Sequence, residues 1–453
     1  MWTMIESLRP LVDGLAPAFT GPSLTTCTSL FLAWVMCLRH KTLFRVGENA
    51  HPDILPDHSK RHGMDGFYNF FERSSWSAAD LGRRVGILIF SRLKFCGAVT
   101  LLVDDPLTHK AGKCVWGMGW FRDAVASTRK RVATAPGHNW VVIAIAFCNP
   151  VTGNPVFAFP LLAALHEPGK GNPSCPVLAR QMLETILEWY PNRHFILVGD
   201  GAYAAKELLK DLPDRVTFVG RLRGDAAVYN PKVPQPKTKK RGRKAKKGPR
   251  LPSPKEAVKK ADRKRTDKGA WLWQLVSVCV YGETRELNTV SYEALWPRVL
   301  GLRSIQIVGV RDPSGTMDDI YLFTTDVRAC PSWVITQFAW RWSIEVLFRA
   351  SKQVMDIEAP QHWCQASVQK LAPWVWSMQS VIMVWYLTAG HQLPEAKEMT
   401  ARMGPWDSEW SLRHMIQVMR RATLNSTFDI NSAKEADLRK MTQTLENWAL
   451  LAG

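Results

Sequence analysis

Acidic residues are scarce in this chain: 40 Asp and Glu stand against 59 Lys and Arg, a formal net charge of +19 over 453 residues. That imbalance excludes a near-neutral metabolic enzyme as the default. It points to a polyanion, nucleic acid first and an acidic membrane surface second. Paired cysteines are also missing. The nine (Cys27, Cys37, Cys96, Cys114, Cys148, Cys175, Cys279, Cys330 and Cys364) are odd in number, and no two sit at CxxC spacing. This excludes a disulfide framework and a zinc knuckle, and it fits a reduced, cytoplasmic chain. No basic stretch followed by a cleavable apolar run opens the sequence, so no secretory signal is read there. Long uncharged runs are nearly absent. Residues 371–390 have the length of a membrane span, but Pro373, Ser377, Gln379, Ser380 and Thr388 interrupt them, so a buried core helix is expected and no membrane partner.

What is present is ample for a globular core: 46% of residues are hydrophobic. At roughly 100–200 residues per domain the length allows two to four domains. The charge is concentrated. Residues 231–268 hold 17 Lys or Arg and three acids, a net of +14, so the other 415 residues carry 42 basic and 37 acidic groups, only +5. This segment includes Lys239, Lys240, Arg241, Arg243 and Lys244, with six prolines and no aromatic residue. Such a composition predicts a flexible loop. The loop is either a solvated linker or an arm that tracks phosphates, each neutralised phosphate releasing a counterion.

Residues 1–95 read as mostly helical. Apolar runs at 98–103, 115–121, 140–147 and 156–162 then predict strands. A helix over 176–190, a strand over 194–198, a short helix over 204–212 and a strand over 216–223 complete a mixed α/β sheet. Strand patterns return at 271–281, 305–310 and 320–323. A long helix is expected over 331–355 and another over 366–389, with a polar helical tail over 396–453. No internal repeat is found.

Three acids occupy informative places. Asp104 ends the apolar strand Val99-Thr100-Leu101-Leu102-Val103, with Asp105 beside it; Asp200 ends Phe195-Ile196-Leu197-Val198; Glu345 lies within the long helix. A strand-end Asp commonly forms a turn or caps a helix. Two at the rim of one sheet, with a third acid from a helix, can instead share two hard divalent cations, the arrangement suited to in-line phosphoryl transfer. Advancing 100° per residue from Phe338 sets Arg341, Glu345, Arg349 and Lys352 within about 80° on one helix face. Ordinary i,i+4 pairing on a solvated face would look the same.

The run Phe338-Ala339-Trp340-Arg341-Trp342-Ser343-Ile344-Glu345, continued to Lys352, resembles the Y-x2-R-x3-E-x6-K signature of DDE transposases of bacterial insertion sequences, with Phe338 in place of Tyr. Gly199-Asp200-Gly201-Ala202-Tyr203 is similar to that family's second-Asp motif. Asp104-Asp105-Pro106 is similar to the first, with Pro106 for the usual Thr; of its two acids Asp104, the first after the strand, is favoured. Thr324-Thr325-Asp326 and Gln361-His362-Trp363 also resemble the family, and the likeness covers about residues 96–390. It implies an RNase H-like mixed sheet flanked by helices, with an inserted β-rich subdomain and helical N- and C-terminal regions. The implied divisions are 1–95 (helical, DNA-end binding), 96–225 (first part of the core), 226–319 (basic arm and β insertion), 320–395 (second part of the core) and 396–453 (helical). The spacings agree with an insertion, 96 positions from Asp104 to Asp200 but 145 from Asp200 to Glu345.

The resemblance further implies that Asp104, Asp200 and Glu345 hold two Mg²⁺ ions, with Mn²⁺ as substitute. Arg341, Lys352, Arg349, Tyr203 and the basic arm would contact DNA. Of the 20 tryptophans, Trp271, Trp273 and Trp296 lie in the insertion as candidates for stacking a flipped base, or for simple packing in a β core. The implied activity is hydrolysis at the terminal inverted repeats and transfer of the freed 3′-hydroxyl to target DNA, by a homodimer that synapses two double-stranded ends in a bacterial cytoplasm, associated with the nucleoid. A transposase-derived DNA-binding protein without catalysis is the alternative.

Overall fold

The computed structural model describes residues 2–38, 40–50, 62–128, 130–149, 153–231, 246–263, 272–280, 282–404 and 407–428. Five helices come first: α1 (Arg9–Asp13), α2 (Gly21–Met36), α3 (Leu43–Glu48), α4 (His62–Glu72) and α5 (Ala78–Arg92). Hydroxyl caps start three of them. Thr20, Thr42 and Ser77 accept hydrogen bonds from the backbone N–H of Ser23, Arg45 and Asp80, satisfying donors that the first turn leaves free.

The sheet then begins with β1 (Val99–Asp104), β2 (Leu107–His109), β3 (Gly119–Arg122), β4 (Thr134–Cys148) and β5 (Val156–His166). It continues, after α6 (Cys175–Trp189), with β6 (Phe195–Gly199), α7 (Lys206–Leu209) and β7 (Val216–Arg221). Side by side the core strands run β5-β4-β1-β6-β7. The first three are antiparallel, and β1, β6 and β7 are parallel. This is the RNase H-like order. Strand β1 lies at its centre and is buried from Val99 to Val103, as an uninterrupted apolar run requires.

The remaining elements are α8 (Pro254–Arg263), β8 (Gln274–Val280), β9 (Glu283–Leu295), α9 (Pro297–Leu300), β10 (Ser304–Arg311), β11 (Ile320–Thr324), α10 (Pro331–Trp340), α11 (Trp342–Gln353), α12 (Gln365–Thr388), α13 (Pro394–Thr400) and α14 (Leu412–Phe428). Strand β11 pairs antiparallel with β7, and β10, β9 and β8 carry the same sheet onward to 11 strands among the described residues. The β-rich insertion therefore shares the sheet of the core.

Two expectations need correction. The basic segment is not loop throughout. Within α8, Glu256 reaches back to the residue before the helix, Ser253 N–H donating to Glu256 Oε2 at 2.9 Å, one half of a capping box. Its Ala257, Val258 and Ala261 are buried, a narrow apolar stripe that the surrounding lysines hide in composition. The long helix over 331–355 is divided at Arg341. There the bonds Arg341 N–H to Phe338 O and Ile344 N–H to Arg341 O, both 3.1 Å, span three residues, so the turn tightens between α10 and α11. Helix α12 is buried along nearly its whole length, against α5 and β5 among others. No helix of the described residues is long and apolar enough to cross a membrane.

Candidate catalytic site

Parallel pairing sets the frame. Val103 of β1 stands opposite Gly199 of β6, so the next residues, Asp104 and Asp200, leave neighbouring strands at the same end of the sheet. Gly199 is required there. A Cβ at this position would lie 2.9 Å from Tyr203 Cβ and 3.0 Å from Val103 Cγ1, closer than packed carbons approach. Asp200 Oδ1 accepts the N–H of Ala202 at 2.8 Å and of Tyr203 at 3.4 Å, which tightens the turn and swings Tyr203 back under the strands.

Tyr203 is fully buried, and its hydroxyl donates to Asp105 Oδ1 at 2.9 Å. Burial, with Asp105 beside it, holds that hydroxyl well above its usual range, so it stays protonated and able to donate. Tyr203, expected to touch DNA, has no exposed surface here and bonds to the acid behind the site. Asn139 of β4 gives Asp105 a second donor, to Oδ2 at 3.3 Å.

Helix α11 brings the fourth carboxylate. Arg341 spans the gap, donating from one terminal nitrogen to Asp104 Oδ2 at 3.2 Å and from the other to Glu345 Oε1 at 2.6 Å. Asp104 is pushed up to about 7, chiefly by burial; Arg341 opposes that rise, while Asp105 and Asp200 add to it. Burial raises Asp105 as well. Arg341 thus bonds Asp104 and Glu345, while Asp105 and Asp200 act on Asp104 through their charge. Arg341 Nε is buried without a hydrogen-bond partner among the described residues.

The donor set suits a hard divalent cation, since its oxygens are all carboxylate. Among the described residues no three His, Cys, Asp or Glu side chains are gathered tightly enough to hold an ion, and Arg341 is bonded to two of the acids.

The other expected contacts are dispersed. Lys352 pairs with Glu358 at 2.9 Å, and Glu358 also accepts the His109 N–H at 2.8 Å. Arg349 is exposed and lines a groove with Arg413 of α14. Trp296 packs edge-on against Phe323 at 5.5 Å, and Trp273 donates to Asp262 Oδ1 at 3.1 Å beneath the Arg311 guanidinium; both rings are half-buried. Lys239, Lys240, Arg241, Arg243, Lys244 and Trp271 lie outside the described residues. Sequence reasoning passed over Asn139 and Glu358. Neither falls in a pattern, because each reaches its partner across the fold.

Residues 15–277 match the family described as DDE superfamily endonuclease, 263 of the 453 residues and both strand-end aspartates. The chain belongs to the DDE superfamily of endonucleases. The matched segment of this DDE endonuclease ends before α11, so Glu345 rests on its geometry. A solved structure, the cryo-EM structure of the piggyBac transposase synaptic complex with hairpin DNA, is 10% identical to the DDE endonuclease described here. The likeness covers 97% of this chain and 81% of that one at a TM-score of 0.41. No curated protein matches the sequence.

Proposed function

We propose that this DDE endonuclease is a transposase of the insertion-sequence type, which cuts double-stranded DNA at the ends of its element and joins the freed 3′-hydroxyl to a target. One observation carries the reading: in a strongly basic chain, Arg341 joins Asp104 at a strand end to Glu345 of a helix, with Asp105 and the parallel strand-end Asp200 close enough to raise Asp104. Asp104, Asp200 and Glu345 would hold Mg²⁺, or Mn²⁺ in its place. Bound there, the cation would supply Lewis-acid stabilisation of charge on the reacting phosphate. Asp105, fixed by Tyr203 and Asn139, adds negative potential that favours cation entry. Arg341, released from the acids, offers Nε and its terminal nitrogens as a fork to a phosphate oxygen. Lys352, freed from Glu358, would act as a point charge on the neighbouring phosphate. Two ends held together imply a homodimer at work.

The test is nicking of supercoiled plasmid and of labelled end DNA with Mg²⁺. Glu345→Gln keeps the size of the side chain and removes its charge. Nicking should fall by more than about 100-fold, since several kcal/mol of charge stabilisation disappears. DNA affinity should stay near that of the parent, because cations elsewhere hold the phosphates. Undiminished nicking by the variant would place the third ligand elsewhere. Short inverted repeats bounding the gene would identify the end DNA.

A further inference from the structure

Between the candidate acids and the body of the sheet, the chain makes an excursion that the site does not use. Strand β2 follows Asp104-Asp105-Pro106 directly, and β3 then pairs with the first part of β4. Asp104 stands opposite Val142, whereas β4 begins at Thr134. At about 3.4 Å per residue the ribbon reaches roughly 27 Å past the end of β1.

The charge of this ribbon is one-sided. Residues 107–136 contain six basic residues and one acid, a net of +5. Removing them together with 231–268 leaves 36 basic and 36 acidic residues, so the whole net charge of the protein resides in these two segments. The one acid does not face outward. Asp123 Oδ1 accepts the N–H of Val125 at 2.9 Å and of Ala126 at 3.1 Å, and Oδ2 meets His109 Nε2 at 2.9 Å. Lys113, Arg122, Lys130 and Arg131 are exposed.

Apolar exposure converges on the same place. Five large apolar side chains of the described residues are more than 60% exposed, and three belong to the ribbon: Trp120 (72%), Val125 (94%) and Val132 (65%). A fourth, Trp363 (69%), is tied to it by the 3.0 Å bond from Trp116 N–H to the Trp363 carbonyl. The tip is ordered without a core. Asp123 N–H donates to Ala133 O at 2.9 Å, Thr128 N–H to Arg131 O at 2.9 Å, and Ala133 N–H to Ser127 Oγ at 3.0 Å. At the root, His109 joins Asp123 to Glu358, the partner of Lys352.

We propose that the β3–β4 ribbon is a second grip on duplex DNA, laid into a groove of the duplex next to the bond facing Asp104, with Arg122, Lys130 and Arg131 on phosphates and Trp120 against base or sugar. This rests on the transposase reading and extends it to a new surface. A two-stranded ribbon fits the major groove, cations supply affinity without sequence preference, and an exposed aromatic ring stacks or wedges. A second copy of the chain is a poor occupant, because it would bring the same positive charge.

The test measures binding of a 40-base-pair duplex of arbitrary sequence by the full chain across a KCl series. Arg122→Gln, Lys130→Gln and Arg131→Gln together should make the log–log salt slope shallower by roughly 2–3 units, at about 0.9 per phosphate. Trp120→Ala should weaken binding at least fivefold at every salt concentration with the slope unchanged, as lost stacking does. These side chains are exposed, so thermal unfolding should not move. Should the triple variant fail to fold, the single substitutions Arg122→Gln and Arg131→Gln carry the same expectation at about one unit each. An unchanged slope in a folded variant overturns the proposal while leaving the endonuclease reading intact, and so does a change in sedimentation state without a change in slope. Plasmid that stays unnicked with Mg²⁺ while the slope falls as expected would sink the catalytic reading and leave the ribbon standing. A parent chain that binds no duplex overturns both.

Discussion

In the proposed function Arg341 would serve two states. In the protein as described it bonds to Asp104 and Glu345, and its positive charge offsets part of the repulsion among the acids. The same fork is what a phosphate needs, so in the proposed function occupation of the acids by cations and release of the arginine would be coupled electrostatically. Behind them, Tyr203 separates support from contact. Tyr203→Phe leaves a buried carboxylate short of one donor and should cost about 1–3 kcal/mol of stability in urea unfolding. Because the ring has no exposed surface, DNA affinity should stay unchanged at each salt concentration. Weaker binding with full stability would instead put the hydroxyl on DNA. At this scale the sequence reveals which residues end apolar strands, and that reading reaches Asp104 and Asp200. It does not reveal that Lys352 turns to Glu358, or that Asp105 draws donors from Tyr203 and Asn139, since those contacts depend on tertiary approach.

Among the elements, uniform apolar runs were the most legible. Strands β1 and β6 are buried at both faces, so hydrophobicity alone marks them, and α12 is marked by its uncharged length. Strand β9 was not legible. Its first part, Glu283 to Glu286, is charged and mostly exposed near the sheet edge, and the pattern gives no alternation to read there. Helix α8 was hidden for the opposite reason. Lysine side chains dominate its composition, while three small or β-branched residues make its contact, and only the Ser253-Pro254-Lys255-Glu256 cap signals a helix start. The contact is tight: a Cβ on Gly309 of β10 would come within 2.8 Å of Val258 Cγ2. Val258→Asp buries a carboxylate against this sheet without a partner. It should destabilise by about 3 kcal/mol or more in urea, whereas exposed Lys259→Gln should change stability by less than about 0.5 kcal/mol. Equal behaviour of the two variants would mean that α8 does not dock.

For the molecule as a whole, the partition of charge would decide how DNA is held in the proposed function. The bulk is electrically balanced at 36 basic and 36 acidic residues once 107–136 and 231–268 are set aside. Exposed charges act over about 8–10 Å at ordinary ionic strength, so balanced regions attract little at a distance, and the two unbalanced segments dominate approach to a polyanion. They flank the candidate acids in sequence, one directly after Asp104-Asp105-Pro106 and one between Asp200 and Glu345. The arm within 232–245 holds seven basic residues and no acid. Replacing these seven by Gln spares α8 and should leave stability unchanged. If four of them meet phosphates, the salt slope becomes shallower by roughly 3–4 units. Affinity for end DNA and arbitrary DNA should fall alike, because phosphates carry no sequence. Combined with the ribbon substitutions the two losses should add, because they release separate counterions. The slope that remains would be shared by Arg341 and Lys352 and by the basic residues of 107–136 and 246–268 that these substitutions leave in place. Losses that fail to add would mean that the arm and the ribbon meet the same phosphates.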